Sequence, residues 1–491
     1  MIPFYRSNFG LRHLIVLTFF IFCQGFIFAQ SKNPYNYQEL SHVLYQVKKD
    51  SIKKTWTCPI VYKDKATQKL YKELWDGRLG FISAAIQDKD YIGEKEVYSY
   101  VEGIISQIVT ANPKLIPVKP ILFIDRSAAV NAYAIGGNII AVNLGLISFA
   151  NLREELAMVI AHELSHNILN HADNSIKERA EWFTSKEYEN SLKAVLDSRY
   201  ERLSRLKKVF EGYSFDRSKH SRYHENDADS LAIVLLKNAD ISYNPAFFLR
   251  LDSSDIQYKL PLQKTLKSYF TAYNLPIEDM WLQKRSKGLS TKSYNFKDTT
   301  SIEDSLKTHP ECKDRYNKTL AFTSADLHES KVPSALKEKT NKMIIWNLFD
   351  NQSLTACLYR IFLEKDKGNT DEWYDFMVQN IFGGLYYSDK QLNRFNAIRV
   401  TQKEFISKDY YELQTMFEQM PKERIEQYCK DMTNLNFSQK LPSDAKALRD
   451  LLYKLNFDDK ATGKLKEIAA KDFITNNSSS MFCEFADHFT H

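Results

Sequence analysis

His162-Glu163-Leu164-Ser165-His166 sets two histidines four residues apart, with a glutamate between them, in a run that reads as helix. Both imidazoles project from one helical face, where they can reach a single metal ion. Glu163 falls beside them, placed to polarise water at that metal. Asn151-Leu152-Arg153-Glu154 has the form of an N-cap with a glutamate three residues on, which starts the helix there. From that point Leu156, Ile160, Leu164 and Ile168 recur every four residues. The helix can bury this apolar flank and offer the histidine flank to a cleft. No Pro or Gly falls between Asn151 and Ala172.

Two histidines do not complete a catalytic zinc site, which needs a third protein ligand and an open fourth position. The extended HExxHxxGxxH pattern requires glycine at 169 and histidine at 172. Leu169 and Ala172 stand there, so that class is excluded. His171, five residues after His166, points away from the shared face and reads as structural. Glu225 is the better third ligand, in His224-Glu225-Asn226-Asp227-Ala228-Asp229. Glu225 and Asp229 share a helical face. Glu225 can bind the metal while Asp229 accepts a hydrogen bond from the second nitrogen of a ligating histidine. An acidic pair of this kind, taken alone, is more often a solvated helix face.

With these residues in place the chain resembles the gluzincin metallopeptidases, the family of the CAAX prenyl proteases, the HtpX heat-shock proteases and the periplasmic BepA-type proteases. Asn131-Ala132-Tyr133-Ala134, then Gly136-Gly137 and Ile139 to Leu146, resembles the family's strand ahead of the metal helix. His162 to His166, continuing to His171, resembles its HExxH helix, and Glu225 to Asp229 its ExxAD helix, with Asn244-Pro245 following. Thr308-His309-Pro310 with Arg315 resembles its HP-x4-R element. The match runs from about residue 80 to 320. Ile135 stands where the family often has a proline, and the long stretch from Asp229 to His309 reads as an insertion near the cleft. The resemblance implies a zincin-like fold, mainly α with a small β-sheet (α+β), and one zinc ion per chain held by His162, His166 and Glu225. It assigns His309 either to oxyanion stabilisation or to a removable plug at the zinc. Anchoring a turn through His-Pro is an equal alternative.

Arg6 and Arg12 precede an apolar run from Leu14 to Ala29. Sixteen helical residues span about 24 Å, short of the roughly 30 Å hydrocarbon core, so residues 1–29 read as a cleavable signal peptide rather than an anchor. That predicts a periplasmic or secreted protein with no stable membrane span after cleavage. Cys23 lacks the small preceding residues of a lipidation signal. The five remaining cysteines, Cys58, Cys312, Cys357, Cys429 and Cys483, are too scattered for a disulfide framework. The net charge of +6 is spread thinly, which argues against nucleic acid as a partner.

The rest divides into a polar, loosely packed leader over 30–75, a metallopeptidase domain over 76–325, and a helical C-terminal domain over 335–491. A linker is expected at Lys331-Val332-Pro333-Ser334. Within the middle part, 175–223 reads as one long amphipathic helix, with Leu192, Val195, Leu196, Tyr200 and Leu203 as its stripe. Gly368-Asn369-Thr370-Asp371 marks a break between two helices. A tetratricopeptide-like pair is one reading of that hairpin; an ordinary bundle is favoured, since no 34-residue repeat is present.

Chemistry and resemblance together predict an exported zinc endopeptidase acting on unfolded or misassembled envelope proteins, with Glu163 as the general base. The strand near Ile139 is expected to pair with an extended polypeptide substrate, and the C-terminal helices to meet envelope partners. A non-catalytic, chaperone-like zinc protein and a zinc hydrolase of non-peptide substrates are the alternatives. The retained Glu163 weighs against the first, because a structural site has no use for a base between its ligands.

Overall fold

Ile139–Asn143 (β3) is buried along its whole length, because it is paired on both edges and covered on both faces. It runs parallel to Ile121–Asp125 (β1) and antiparallel to Ala132–Gly136 (β2), in the order β1-β3-β2. Alternation divides the side chains between two layers. Leu122, Ile124, Ile140 and Val142 enter one core; Phe123, Ile139 and Ala141 enter the other. This order corrects the expectation that the strand at Ile139 pairs with a substrate. A central strand has no backbone groups left to offer, so the sheet edges belong to β1 and β2. Gly136, Gly137 and Asn138 turn the chain between β2 and β3 with φ of 90°, 57° and 60°. A Cβ on Gly136 would collide with Arg78 and sit 2.8 Å from Asp173 Oδ1, so glycine is required there for space as well as for φ.

The protein is described by a computed structural model covering residues 43–88, 90–198, 200–252, 254, 258–283, 312–390, 392–433, 443–457, 462–480, 483–487 and 489–490. The expected signal segment, 1–29, lies outside the described residues. Among those described, no helix is long and apolar enough to cross a membrane. The elements are mainly helical around the small sheet. Two compact units divide the chain, and the larger is Glu39–Leu441.

Helices Val43–Thr55 (α1) and Lys65–Gln87 (α2) supply the second core layer through Ile52, Ile82, Ala85 and Ile86. From residue 43 on, the expected loose leader is therefore packed structure. Its apolar residues are few, but Tyr71 and Trp75 fall one helical turn apart and are buried together. The first layer is built by Lys95–Ala111 (α3), with Val97, Val101, Ile104, Ile105 and Ile108, and by the two helices that carry His162, His166 and Glu225.

The first of these is Arg153–Ile168 (α5), reached through the short helix Leu144–Phe149 (α4) that follows β3 directly. Its start lies one residue later than the sequence pattern suggests. Glu155, not Glu154, reaches back to accept from the backbone N–H of Asn151 (2.6 Å) and Leu152 (3.1 Å), and also pairs with Arg250. Nor is α5 half-exposed. Leu156, Ala157, Ile160, Ala161, His162, Glu163, Leu164 and Ser165 are all buried, so both flanks are covered. Asn170, at φ 55°, ends the run in a left-handed step, and His171–Thr184 (α6) begins.

The predicted single helix over 175–223 is three pieces: α6, Lys186–Asp197 (α7) and the start of Arg202–Asn238 (α8). Ser185 explains the first break, since its hydroxyl accepts from Tyr188 N at 3.1 Å and caps α7. Of the predicted stripe only Val195 is fully buried, while Tyr200 and Leu203 are 78% and 84% exposed. Ala246–Asp252 (α9), Leu266–Thr271 (α10) and Cys312–Thr319 (α11) follow.

Helices Ser334–Asp350 (α12), Leu354–Asp366 (α13) and Glu372–Lys390 (α14) continue in the same unit. The expected linker is held: Val332 N bonds Asn151 O at 2.9 Å and Val332 is buried. Lys331 also forms a bridge with Leu152. Gly368, at φ 88°, stands in the break between α13 and α14. In the second unit, Ser443–Phe457 and Gly463–Asn476 bury Leu448, Ala470 and Phe473, and Ser480 Oγ bonds Asp444 Oδ2 at 3.0 Å. The five cysteines after Cys23 are all free thiols.

Candidate metal centre

Helix α8 crosses α5 with Ala232, Leu235 and Leu236 in the shared core. The same stripe, one and two turns earlier, is Glu225, Ala228 and Asp229, all buried. Hydrophobic packing of the C-terminal half of α8 thus carries two carboxylates onto the histidine flank of α5. A buried carboxylate is tolerated only when paired, and both of these are.

His162, His166 and Glu225 come together as one group whose ligand atoms all lie within 4.8 Å of one another. The two Nε2 atoms are 3.0 Å apart. Glu225 Oε2 is 3.3 Å from His162 Nε2, and its Oε1 is 3.5 Å from His166 Nε2. A tetrahedral zinc with bonds of about 2.0–2.1 Å has ligand–ligand edges of about 3.3 Å. The two ring nitrogens and the two carboxylate oxygens that face them thus stand at separations close to that edge, and two imidazoles with one carboxylate are a donor set that suits zinc. Glu163, on α5 between the histidines, is 4% exposed.

Each histidine uses Nε2 toward this group, so each has its Nδ1 left for a neighbour. His162 Nδ1 faces Asp229 Oδ1 at 2.9 Å. Arg315, on α11, grips the same carboxylate with both edges, Nε to Oδ2 at 2.8 Å and Nη2 to Oδ1 at 2.5 Å. Its guanidinium also lies over the Phe248 ring, 4.3 Å from the centroid. Burial opposes ionisation of Asp229, but the hydrogen bonds from His162 and Arg315 outweigh it and hold the pKa at about 2. For His162, burial and the Arg315 cation push downward, and the carboxylates of Asp229, Glu225 and Glu163 overcome them to give about 9. A metal entering here displaces that proton, so uptake is linked to proton release.

His166 has a different partner. His171 Nδ1 lies 2.8 Å from His166 Nδ1. The sequence places His171 on the far side of a continuous helix; the left-handed step at Asn170 folds it back instead. Asn is the residue type, after glycine, most tolerant of that conformation, and this was the available signal. His171 stands outside the three-residue ligand group but touches one of its members. Its ring stacks on His224 with centroids 4.2 Å apart and an interplanar angle of 13°. Burial first, then the His224 ring, lowers its pKa to about 4. Arg315 carried no assigned role in the sequence, although a buried Asp229 demands a countercharge. His309 lies outside the described residues.

Residues 95–321 match the model of Peptidase family M48. A stretch of 165 residues is 27% identical to a protein of Vibrio cholerae serotype O1 named putative beta-barrel assembly-enhancing protease, covering 33% of this chain and 34% of that one. The chain spans about a third of the length of that curated relative. The family match begins at the helix that backs the sheet and ends just past Arg315, so every side chain described above around the histidine pair falls inside it. Over that span the chain is similar to peptidase family M48.

Proposed function

We propose that this protein is an exported, zinc-dependent endopeptidase that cleaves unfolded or misassembled polypeptides of the cell envelope, with His162, His166 and Glu225 holding one zinc ion. The observation that carries the reading is the convergence of His162, His166 and Glu225, whose facing nitrogens and carboxylate oxygens lie 3.0, 3.3 and 3.5 Å apart, close to the ligand–ligand edge of a zinc tetrahedron. Zinc bound there would act as a Lewis acid at the scissile carbonyl and lower the pKa of water from 15.7 to roughly 7. Glu163 takes the attacking water's proton and passes it to the leaving amine. Asp229, fixed by Arg315, keeps the ring of His162 turned so that Nε2 faces the ligand group. An extended substrate adds to the edge strand β2, whose backbone gives affinity with little sequence preference. His309 serves as oxyanion donor or as plug.

Export is supported by the charged flank and short apolar run before Gln30. The envelope substrate class is supported by the printed name of the Vibrio relative. The C-terminal helices would recruit envelope partners. Casein cleavage by the purified mature protein, with and without chelator, together with metal analysis, tests the reading. Activity that survives complete metal removal, or protein that takes up no zinc, overturns it.

A further inference from the structure

The two histidines of the ligand group are supported by unlike partners. His162 leans on an ionised carboxylate that a guanidinium holds by two hydrogen bonds. His166 leans on another imidazole, at 2.8 Å between the two Nδ1 atoms. With His166 Nε2 turned to the ligand group, its lone pair belongs to the metal, and Nδ1 must then carry the hydrogen. The acceptor of that hydrogen is His171 Nδ1, so the His171 proton sits on Nε2. The parallel stack on His224 fixes the His171 ring plane and keeps that lone pair aimed at His166. Because the ring begins α6, its place also depends on the left-handed step at Asn170.

Resting on the zinc-peptidase reading above, we infer that His171 is the positioning residue for His166, and that its uncharged acceptor makes His166 a less firmly held zinc ligand than His162. A carboxylate in this place draws the Nδ1 hydrogen toward itself and makes Nε2 a stronger donor to the metal. A neutral imidazole orients the ring and adds little of that push. The centre is therefore lopsided by construction, strongly braced on the Asp229 side and lightly on the His171 side.

The test is the zinc dissociation constant of the full mature chain by competition with a chelator, for wild type, His171→Leu, His171→Asn and His171→Asp. His171→Leu removes the acceptor and should weaken zinc binding by about 10–100-fold. The side-chain oxygen of asparagine can occupy nearly the position of Nδ1, so His171→Asn should stay within a few-fold of wild type. His171→Asp should bind zinc more tightly than wild type, an effect that a merely structural histidine would not give. Equal affinity of wild type and His171→Leu overturns the inference, as does His171→Asn as weak as His171→Leu, or His171→Asp weaker than His171→Asn. If His171→Leu fails to fold, the order of Asp, wild type and Asn still decides. A wild type that takes up no zinc overturns the zinc reading and this inference together; normal wild-type binding with unaltered variants overturns this inference alone.

Discussion

The two helices that share the ligand group are built on opposite principles. Helix α5 has 16 residues, and all but Val159 from Glu155 to Ser165 are buried. Helix α8 has 37 residues; the first turn around Leu203 is exposed, and Glu225, Ala228, Asp229, Ala232, Leu235, Leu236 and Ala239 form a buried stripe further along. In α5 the register of the chemistry is set within the helix, since four residues of spacing bring the histidines together wherever the helix lies. In α8 the register depends on the crossing: Glu225 and Asp229 reach the site because Ala232, Leu235 and Leu236 dock further along. A local motif thus supplies the two histidines and Glu163, and tertiary packing supplies Glu225 and Asp229.

This division fails first, and by most, at Glu163. Glu163→Gln should leave both helices and the zinc content intact while lowering turnover about 10²–10⁴-fold, read by casein cleavage beside metal analysis. Turnover within a few-fold of wild type would move the base off α5. On the α8 side, Arg315→Ala removes the guanidinium that holds both oxygens of the buried Asp229 and leaves it His162 alone, which should cost about 3–5 kcal/mol of stability. An unchanged denaturant midpoint would mean that Asp229 is not held as described. Packing separates the helices next. Ile160→Ala, in the fully buried part of α5, should cost about 2–5 kcal/mol.

Smaller effects sharpen the same contrast. Ser185→Ala removes the cap that breaks α6 from α7 and should cost about 1 kcal/mol by thermal unfolding. Leu203→Ser, on the exposed start of α8, should fall within about 0.5 kcal/mol of wild type. A loss there as large as that of Ile160→Ala would show that the start of α8 is covered in solution, and the contrast between the helices would collapse.

What could be read without coordinates follows from locality. The pairing of His162 with His166, the place of Glu163 between them and the shared face of Glu225 and Asp229 are consequences of 3.6 residues per turn, so spacing alone determined them. The mainly helical class was legible for the same reason, and the break at Gly368 from the turn-forming residues around it. The break at Asn170 was not, because asparagine permits a left-handed step without requiring it, and continuous helix is the default in its absence. The burial of Tyr71 and Trp75 was hidden by a polar composition, since two aromatics on one face weigh little in an average but anchor a whole helix. The central place of β3 could not be read from its own five residues: apolar runs look alike in central and edge strands, and only the pairing partners decide which edge is open. Arg315 lies 86 residues from Asp229 in the chain, and only the tertiary structure joins them. Sequence spacing fixes what lies within one helix; contacts between elements arise when separate apolar stripes find a common core, and that choice is made by the folded chain as a whole.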